Sequence, residues 1–352
     1  MTPRAFICGC TGTFLRSEER KFLAETQPWG LILFKRNIEA PDQVRGLVDA
    51  FRDIVGRADA PVLIDQEGGR VQRMGPPHWP LYPPAAVYDR LSGREDRQKQ
   101  ELAGLIARLI ARDLKAVGIE IDCLPVLDVL AAGGHGAIGD RAYSGDPHKV
   151  AAFGRAAAEG LLAGGVLPVM KHAPGHGRAR SDSHFELPRV DTDRAALESV
   201  DFHPFRSLRD LPIAMTGHVV FEAIDADSPA TTSPKVIGGV IRGSIGFDGL
   251  LLTDDLSMQA LSGPLGARAR DALSAGVDIA LHCNGNLVEA AEVAAVVPPL
   301  AGRARERAEA ALARIGEAKP FDPVEARARL DDALADVGRA HQSAAGQRAV
   351  GA

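Results

Sequence analysis

The chain has 352 residues, 45% of them hydrophobic and 25% charged, with a formal net charge of −5. This is the composition of an ordinary folded protein, and its negative balance excludes electrostatic attraction to nucleic acid or to an anionic membrane. No run reaches the ~18 apolar residues of a membrane span, Met1–Leu15 is broken by Gly9 and Gly12 and makes a poor signal peptide, and the four cysteines suggest no disulfide framework.

Short apolar runs occur at Ala5–Cys10, Gly30–Phe34, Pro61–Asp65, Glu120–Val129, Val166–His172, Ile213–His218, Leu250–Asp254 and Val277–Cys283. Each has strand length, and several lack polar alternation, as parallel strands buried on both faces do. Helical periodicity fills the gaps at Asp42–Ile54, Leu102–Val117, Pro147–Leu162, Asp193–Leu208, Pro234–Arg242, Leu265–Ala275 and Leu287–Val296. Ser233-Pro234 reads as an N-cap followed by proline at the first helical position. Gly30, Gly118, Gly165, Gly249 and Gly276 precede strands, where left-handed helix caps are expected. Alternating strands and helices imply a parallel sheet with right-handed crossovers.

The fold class expected is therefore α/β, a single (β/α)8 TIM-like barrel over residues 1–338. The Ala-, Arg- and Glu-rich stretch Leu287–Ala318 and the stretch Pro323–Val337 read as extra C-terminal helices on its outside. The small, polar tail 339–352 is expected to be disordered. An open doubly wound sheet is the alternative. It usually carries a glycine-rich turn after its first strand, which Gly9-Cys10-Thr11-Gly12 resembles only faintly. Cys8-Gly9-Cys10 puts two thiols on one strand face. With no partner pair at zinc spacing, they read as small apolar side chains.

In such barrels active sites form at the C-terminal ends of the strands. Here those ends carry Asp65, Asp128, Lys171-His172, His218, Asp254-Asp255 and Asn284. Buried charge is costly unless paired, so one such residue reads as a loop cap, but a ring of them reads as an enzyme. Three loops are richer than the rest. After strand three, Asp65-Gln66-Glu67-Gly68-Gly69-Arg70-Val71-Gln72-Arg73 combines a glycine turn with Asp65 and Arg73, which can converge on one polar ligand. After strand five comes Lys171-His172-Ala173-Pro174-Gly175-His176-Gly177, continuing to Asp182-Ser183-His184. After strand seven, Thr253-Asp254-Asp255-Leu256-Ser257-Met258 brings Asp254 out at the mouth.

From Ile7 to Asn286 these motifs, in this order, resemble the short bacterial members of glycoside hydrolase family 3, the β-N-acetylhexosaminidases of peptidoglycan recycling. The resemblance implies a retaining hydrolase of terminal β-linked N-acetylglucosamine, acting on a disaccharide with anhydro-N-acetylmuramic acid or on its peptide-bearing forms. It implies Asp254 as catalytic nucleophile and His184, supported by Asp182, as general acid and base. Asp65, Arg73, Arg141, Lys171 and His172 would bind the sugar. No cofactor or metal, a monomer and a cytoplasmic location are expected.

Retaining glycosidases normally use two carboxyls. A histidine in the acid/base role is chemically reasonable, because its unperturbed pKa near ~6.5 allows proton exchange around neutrality. Larger relatives often draw their acid from an extra domain, for which this chain has no room, so an acid within the barrel is required. The rival readings are a metal-dependent hydrolase built on Asp65, His172, His176, His218 and Asp254, a Schiff-base aldolase using Lys171, and a non-catalytic amino-sugar-binding protein. His135, His148 and His203 read as surface or loop residues, and His176 and His218 as possible hydrogen-bonding supports of the mouth.

Overall fold

Side chains alternate between two faces along each strand, and that alternation divides the apolar residues into two cores. In the computed structural model, which describes residues 2–131, 136–183 and 185–335, eight parallel strands close into a barrel in chain order. They are β1 (Arg4–Cys8), β2 (Pro28–Leu33), β3 (Val62–Ile64), β4 (Ile121–Asp122), β5 (Leu167–Ala173), β6 (Ile213–Thr216), β7 (Leu250–Asp255) and β8 (Ile279–His282). β1 closes on β8, with Phe6 opposite Ala280 and Cys8 opposite His282. The closed order excludes the open doubly wound sheet.

Ile7, Leu63, Ile121, Leu167, Val169, Ile213, Met215, Leu250, Leu252, Ile279 and Leu281 fill the barrel interior, as packed layers rather than a pore. Phe6, Leu31, Val62, Ile64, Met170, Ala214, Leu251 and Ala280 face the surrounding helices. Helices Pro41–Val55, Pro147–Ala163 and Leu265–Ala275 match the expected ones within one residue at each end, while Asp96–Lys115 begins six residues before the expected Leu102. Among the described residues no helix is long and apolar enough to cross a membrane. All four cysteines are buried and free.

Several expectations are corrected. The fourth strand pairs only over Ile121–Asp122. Beyond it the chain runs irregularly to Asp128, touching β5 through a bridge between Val126 and Lys171, because Pro125 supplies no N–H. A helix at Ser17–Thr26 was not anticipated, since it buries only Glu19 and Leu23 and carries no apolar stripe. The 193–208 helix breaks into Arg194–Ala196, a wide turn Leu197–Asp201 and His203–Ser207. Gly118, Gly165 and Gly276 are left-handed as expected, but Gly30 and Gly249 are not, and Gln27 and Gly246 adopt positive φ instead.

The C-terminal stretch is interrupted at Pro298-Pro299. Its second part, Gly302–Leu312, lies across the N-terminal end of the barrel, where Leu300, Ala308 and Ala311 join the interior cluster with Trp29. It plugs the end opposite the strand termini instead of covering a side. A further helix spans 323–335. The tail 339–352, His135 and His184 lie outside the described residues.

Candidate active site

The period of two that fills the barrel also aims the polar groups. Leu63 is followed on the interior column by Asp65, while Lys171 follows Leu167 and Val169, and Asp254 follows Leu250 and Leu252, at register shifts near the ends of β5 and β7. These three strands thus bury hydrocarbon below and carry their charged residues at the C-terminal mouth. There a cavity of about 250 Å³ opens. Its apolar lining includes Ile32, Met215, Leu281 and Cys283, and its polar lining includes Asp65, Arg73, Arg141, Lys171, His172, Asp182 and Asp254. Every described residue proposed for the site from sequence lines this one cavity.

The charges are paired in a chain. Arg73 donates to Asp65 Oδ2 at 2.9 Å, and Lys171 Nζ donates to Asp65 Oδ1 at 2.8 Å. Lys171 also meets Glu67 Oε1 at 2.6 Å, and Glu67 receives Arg141 through two bonds of 2.8 Å. Burial disfavours the Lys171 ammonium, but Asp65 and Glu67 outweigh it and raise its pKa. A lysine held protonated is no Schiff-base nucleophile, which removes the aldolase reading. Burial likewise opposes charge on Asp65, yet Lys171 and Arg73 hold its carboxyl well below the usual range.

Glu67 was not proposed as a site residue from sequence, although it holds two residues that were. Its hairpin explains how. Gly68 and Gly69 turn with positive φ, and a Cβ on Gly68 would lie 2.4 Å from the Pro83 carbonyl oxygen. Buried Gln66 accepts the Arg73 and Met74 N–H groups at 3.0 Å, while its own N–H donates to Asp122 at 2.9 Å. Glu67→Gln leaves two buried cations short of an anion. Urea unfolding is expected to show a loss of about 3 kcal/mol, the scale for breaking a buried pair by removing one partner.

On the other wall, His172 Nδ1 donates to Asp128 Oδ2 at 2.7 Å, which turns Nε2 toward Arg141 at 3.5 Å. Asp128 also accepts the backbone N–H of His176 at 2.7 Å. It is fully buried, and desolvation opposes its charge, but the neighbouring His172 holds its pKa at about 2. His218 bonds Thr231 at 2.7 Å and the Asp255 carbonyl at 2.9 Å, so it supports the mouth as expected. Burial lowers its pKa. Asp255 is engaged by Ser257 and the Cys283 N–H.

Asp254 receives the Asp255 N–H at 2.8 Å. Burial raises its pKa, but the imidazoles of His172 and His218 and that N–H outweigh burial and hold it below the usual value. The mouth thus offers an ionised carboxylate on a rigid strand end beside a cationic pocket, with a second aspartate, Asp182, brought in by the loop after β5.

Residues 10–318 match the glycosyl hydrolase family 3 N terminal domain, and the chain belongs to that family. A β-hexosaminidase of Alkalilimnicola ehrlichii is 44% identical over 285 residues, covering 79% of this chain and 80% of that protein. The crystal structure of NagZ from Neisseria gonorrhoeae in complex with N-trifluoroacetyl-D-glucosamine matches with a TM-score of 0.82 at 29% identity, covering 96% of this chain and 98% of that one. The same neisserial protein in complex with zinc ion matches with a TM-score of 0.81 at 28% identity, covering 96% and 98%.

Proposed function

We propose that this protein is a retaining β-N-acetylglucosaminidase that removes terminal, non-reducing N-acetylglucosamine. The observation that carries this reading is the cavity itself, where the Asp254 carboxylate shares one small space with Arg73, Arg141, Lys171 and His172. Small-molecule clefts are ordinarily ~300 Å³ or larger, so a volume of about 250 Å³ suits a single terminal sugar with the rest of the substrate outside. The neisserial structure with N-trifluoroacetyl-D-glucosamine supports an amino sugar as that unit.

In this reaction Asp254 attacks the anomeric carbon as the bond to the leaving oxygen breaks, and His184 delivers a proton to that oxygen. Water then attacks the glycosyl–Asp254 ester, gives its proton to His184 and releases the carboxylate. Asp182 orients His184 and stabilises its cation. Asp65, Arg73, Arg141, Lys171 and His172 hold the sugar hydroxyls and acetamide. The cleaved compound in this reading is N-acetylglucosamine joined β-1,4 to anhydro-N-acetylmuramic acid, with or without peptide, in cytoplasmic cell-wall recycling.

A pocket built to hydrogen-bond a group rejects analogues lacking it. The p-nitrophenyl N-acetyl-β-glucosaminide should therefore react at least ~100-fold faster than the matching glucoside, a difference of ~3 kcal/mol in transition-state binding. Comparable rates would sink the assignment, and no turnover of either would leave a sugar-binding protein.

The neisserial zinc complex makes metal dependence worth testing. Among the described residues no group of three His, Cys, Asp or Glu could hold a metal ion. His172 Nδ1 and both His218 nitrogens are already hydrogen-bonded. Prolonged dialysis against a chelator should leave kcat unchanged. Stoichiometric zinc whose removal abolishes activity would favour the hydrolase rival.

A further inference from the structure

The loop that leaves β5 is fastened near its start and near its end. At the start, Asp128 accepts the His172 and His176 N–H groups, and Ala131 donates to the Gly177 carbonyl at 3.3 Å. At the end, Ser183 Oγ meets His176 Nε2 at 3.2 Å and its carbonyl accepts the Ala260 N–H at 3.2 Å. Between these points Arg178 Nε donates to Asp201 Oδ2 at 2.6 Å.

Asp201 is 2% exposed and ends the wide turn Leu197–Asp201 that interrupts the helix after β5. Turns of this i→i+5 kind recur at functional sites. The loop touches the same residue a second time. Gly175 has φ +140°, and a Cβ added there would lie 3.1 Å from Asp201 Cβ and 3.3 Å from its carbonyl oxygen. A buried carboxylate demands a partner, and among the described residues Arg178 is the cation that pairs with it. Neither residue lines the mouth cavity, so neither is a catalytic residue.

We propose that Arg178 and Asp201 form a positioning latch, pinning residues 174–183 against the wide turn and so holding Asp182 at the mouth cavity. This rests on the acid/base reading above. A group displaced by about an ångström from its working position costs up to ~100-fold in rate, so a latch remote from the sugar can govern proton delivery. Its loss should matter where a proton is needed and little where it is not.

The test compares Arg178→Ala, Asp201→Asn and the double variant in the full-length enzyme, with Arg178→Lys as the charge-retaining control. Two readouts are taken. Amide hydrogen exchange over residues 174–183 should accelerate in all three latch variants. The kcat/KM for the natural disaccharide should fall ~10-fold, while formation of the glycosyl-enzyme from a dinitrophenyl glycoside changes less than ~2-fold. The singles and the double should be equally impaired, because each removes the same contact, and Arg178→Lys should recover part of the loss. An equal fall for both substrates, or unchanged exchange in the loop, overturns the latch. His184→Ala run alongside separates the two hypotheses. Steep leaving-group dependence there but none in Arg178→Ala rejects the latch alone. No dependence in His184→Ala rejects the acid/base reading, and the exchange data then decide whether the pin exists.

Discussion

Asp254→Ala should lose at least ~10⁴-fold in turnover, the scale seen when a nucleophile is removed from a covalent mechanism, while its unfolding midpoint stays near that of the parent. The large kinetic effect follows from position. Asp254 lies within β7 (Leu250–Asp255), so its carboxylate is fixed by the barrel rather than by a loop. The small structural effect follows from its partners. Its one hydrogen bond to a described residue is the N–H of Asp255, and Asp255 is the carboxylate that organises the turn, through Ser257 and Cys283. Asp255→Ala should reverse the pattern, with the greater loss in stability. Equal stability losses with residual Asp254→Ala turnover above a hundredth of the parent's would remove Asp254 from the nucleophile's role.

The second large effect is expected at His184. A sugar alcohol cannot leave without a proton, whereas a nitrophenolate can. His184→Ala should therefore lower cleavage of the disaccharide by ~10²–10⁴-fold, the usual range for a general acid, and barely slow glycosyl-enzyme formation from an activated aryl glycoside. Hydrolysis of that intermediate should be slow, because the base is missing too. Azide, which needs no base, should accelerate turnover and yield the β-glycosyl azide. In the parent enzyme kcat/KM should fall as pH rises through the histidine's pKa, since the acid must be protonated. The acid limb, set by Asp254, should lie below the ordinary carboxylate range because that pKa is depressed. The alanine variant should lose the alkaline limb. Asp182→Ala should show a milder form of all three changes. If both substrates slow equally and azide has no effect, His184 is not the acid, and Glu67 and Asp255 become the candidates.

What the sequence could reveal depended on whether the information was local. The apolar runs Val166–His172 and Leu250–Asp254 each end in charged residues within a few positions, so both the barrel strands and the charges at their ends could be read directly. The roles of Glu67 and Asp128 could not, because each arises from contacts between distant parts of the chain. Glu67 meets Lys171 from β5 and Arg141 from the segment after β4. Asp128 joins His172 to His176. The signal available was a glutamate in a paired-glycine turn directly after a strand-end aspartate, which marks a carboxylate held at the mouth. Helix Ser17–Thr26 leaves no periodic signal in the sequence because it buries almost nothing. The fourth strand is shorter than its apolar run because Leu124, Val126, Leu127 and Val129 are buried while the chain past Asp122 keeps only scattered bonds to β5 and no regular ladder. Apolar runs report burial, and only unbroken N–H groups make burial a strand. The position of the plug helix is illegible for a similar reason, since its alanines give it a weak stripe that does not say which end of the barrel it covers.

The most direct test of the account is to trap the intermediate. A slow fluorinated N-acetylglucosaminyl substrate, incubated with the enzyme and followed by proteolysis and peptide mass analysis, should add one glycosyl unit to the peptide that contains Asp254. Fragmentation should place it on that side chain, and the first product released in ordinary turnover should keep the β configuration. A label on Asp255 or Glu67, or an α-configured first product, would contradict the claim that Asp254 is the nucleophile of a retaining enzyme.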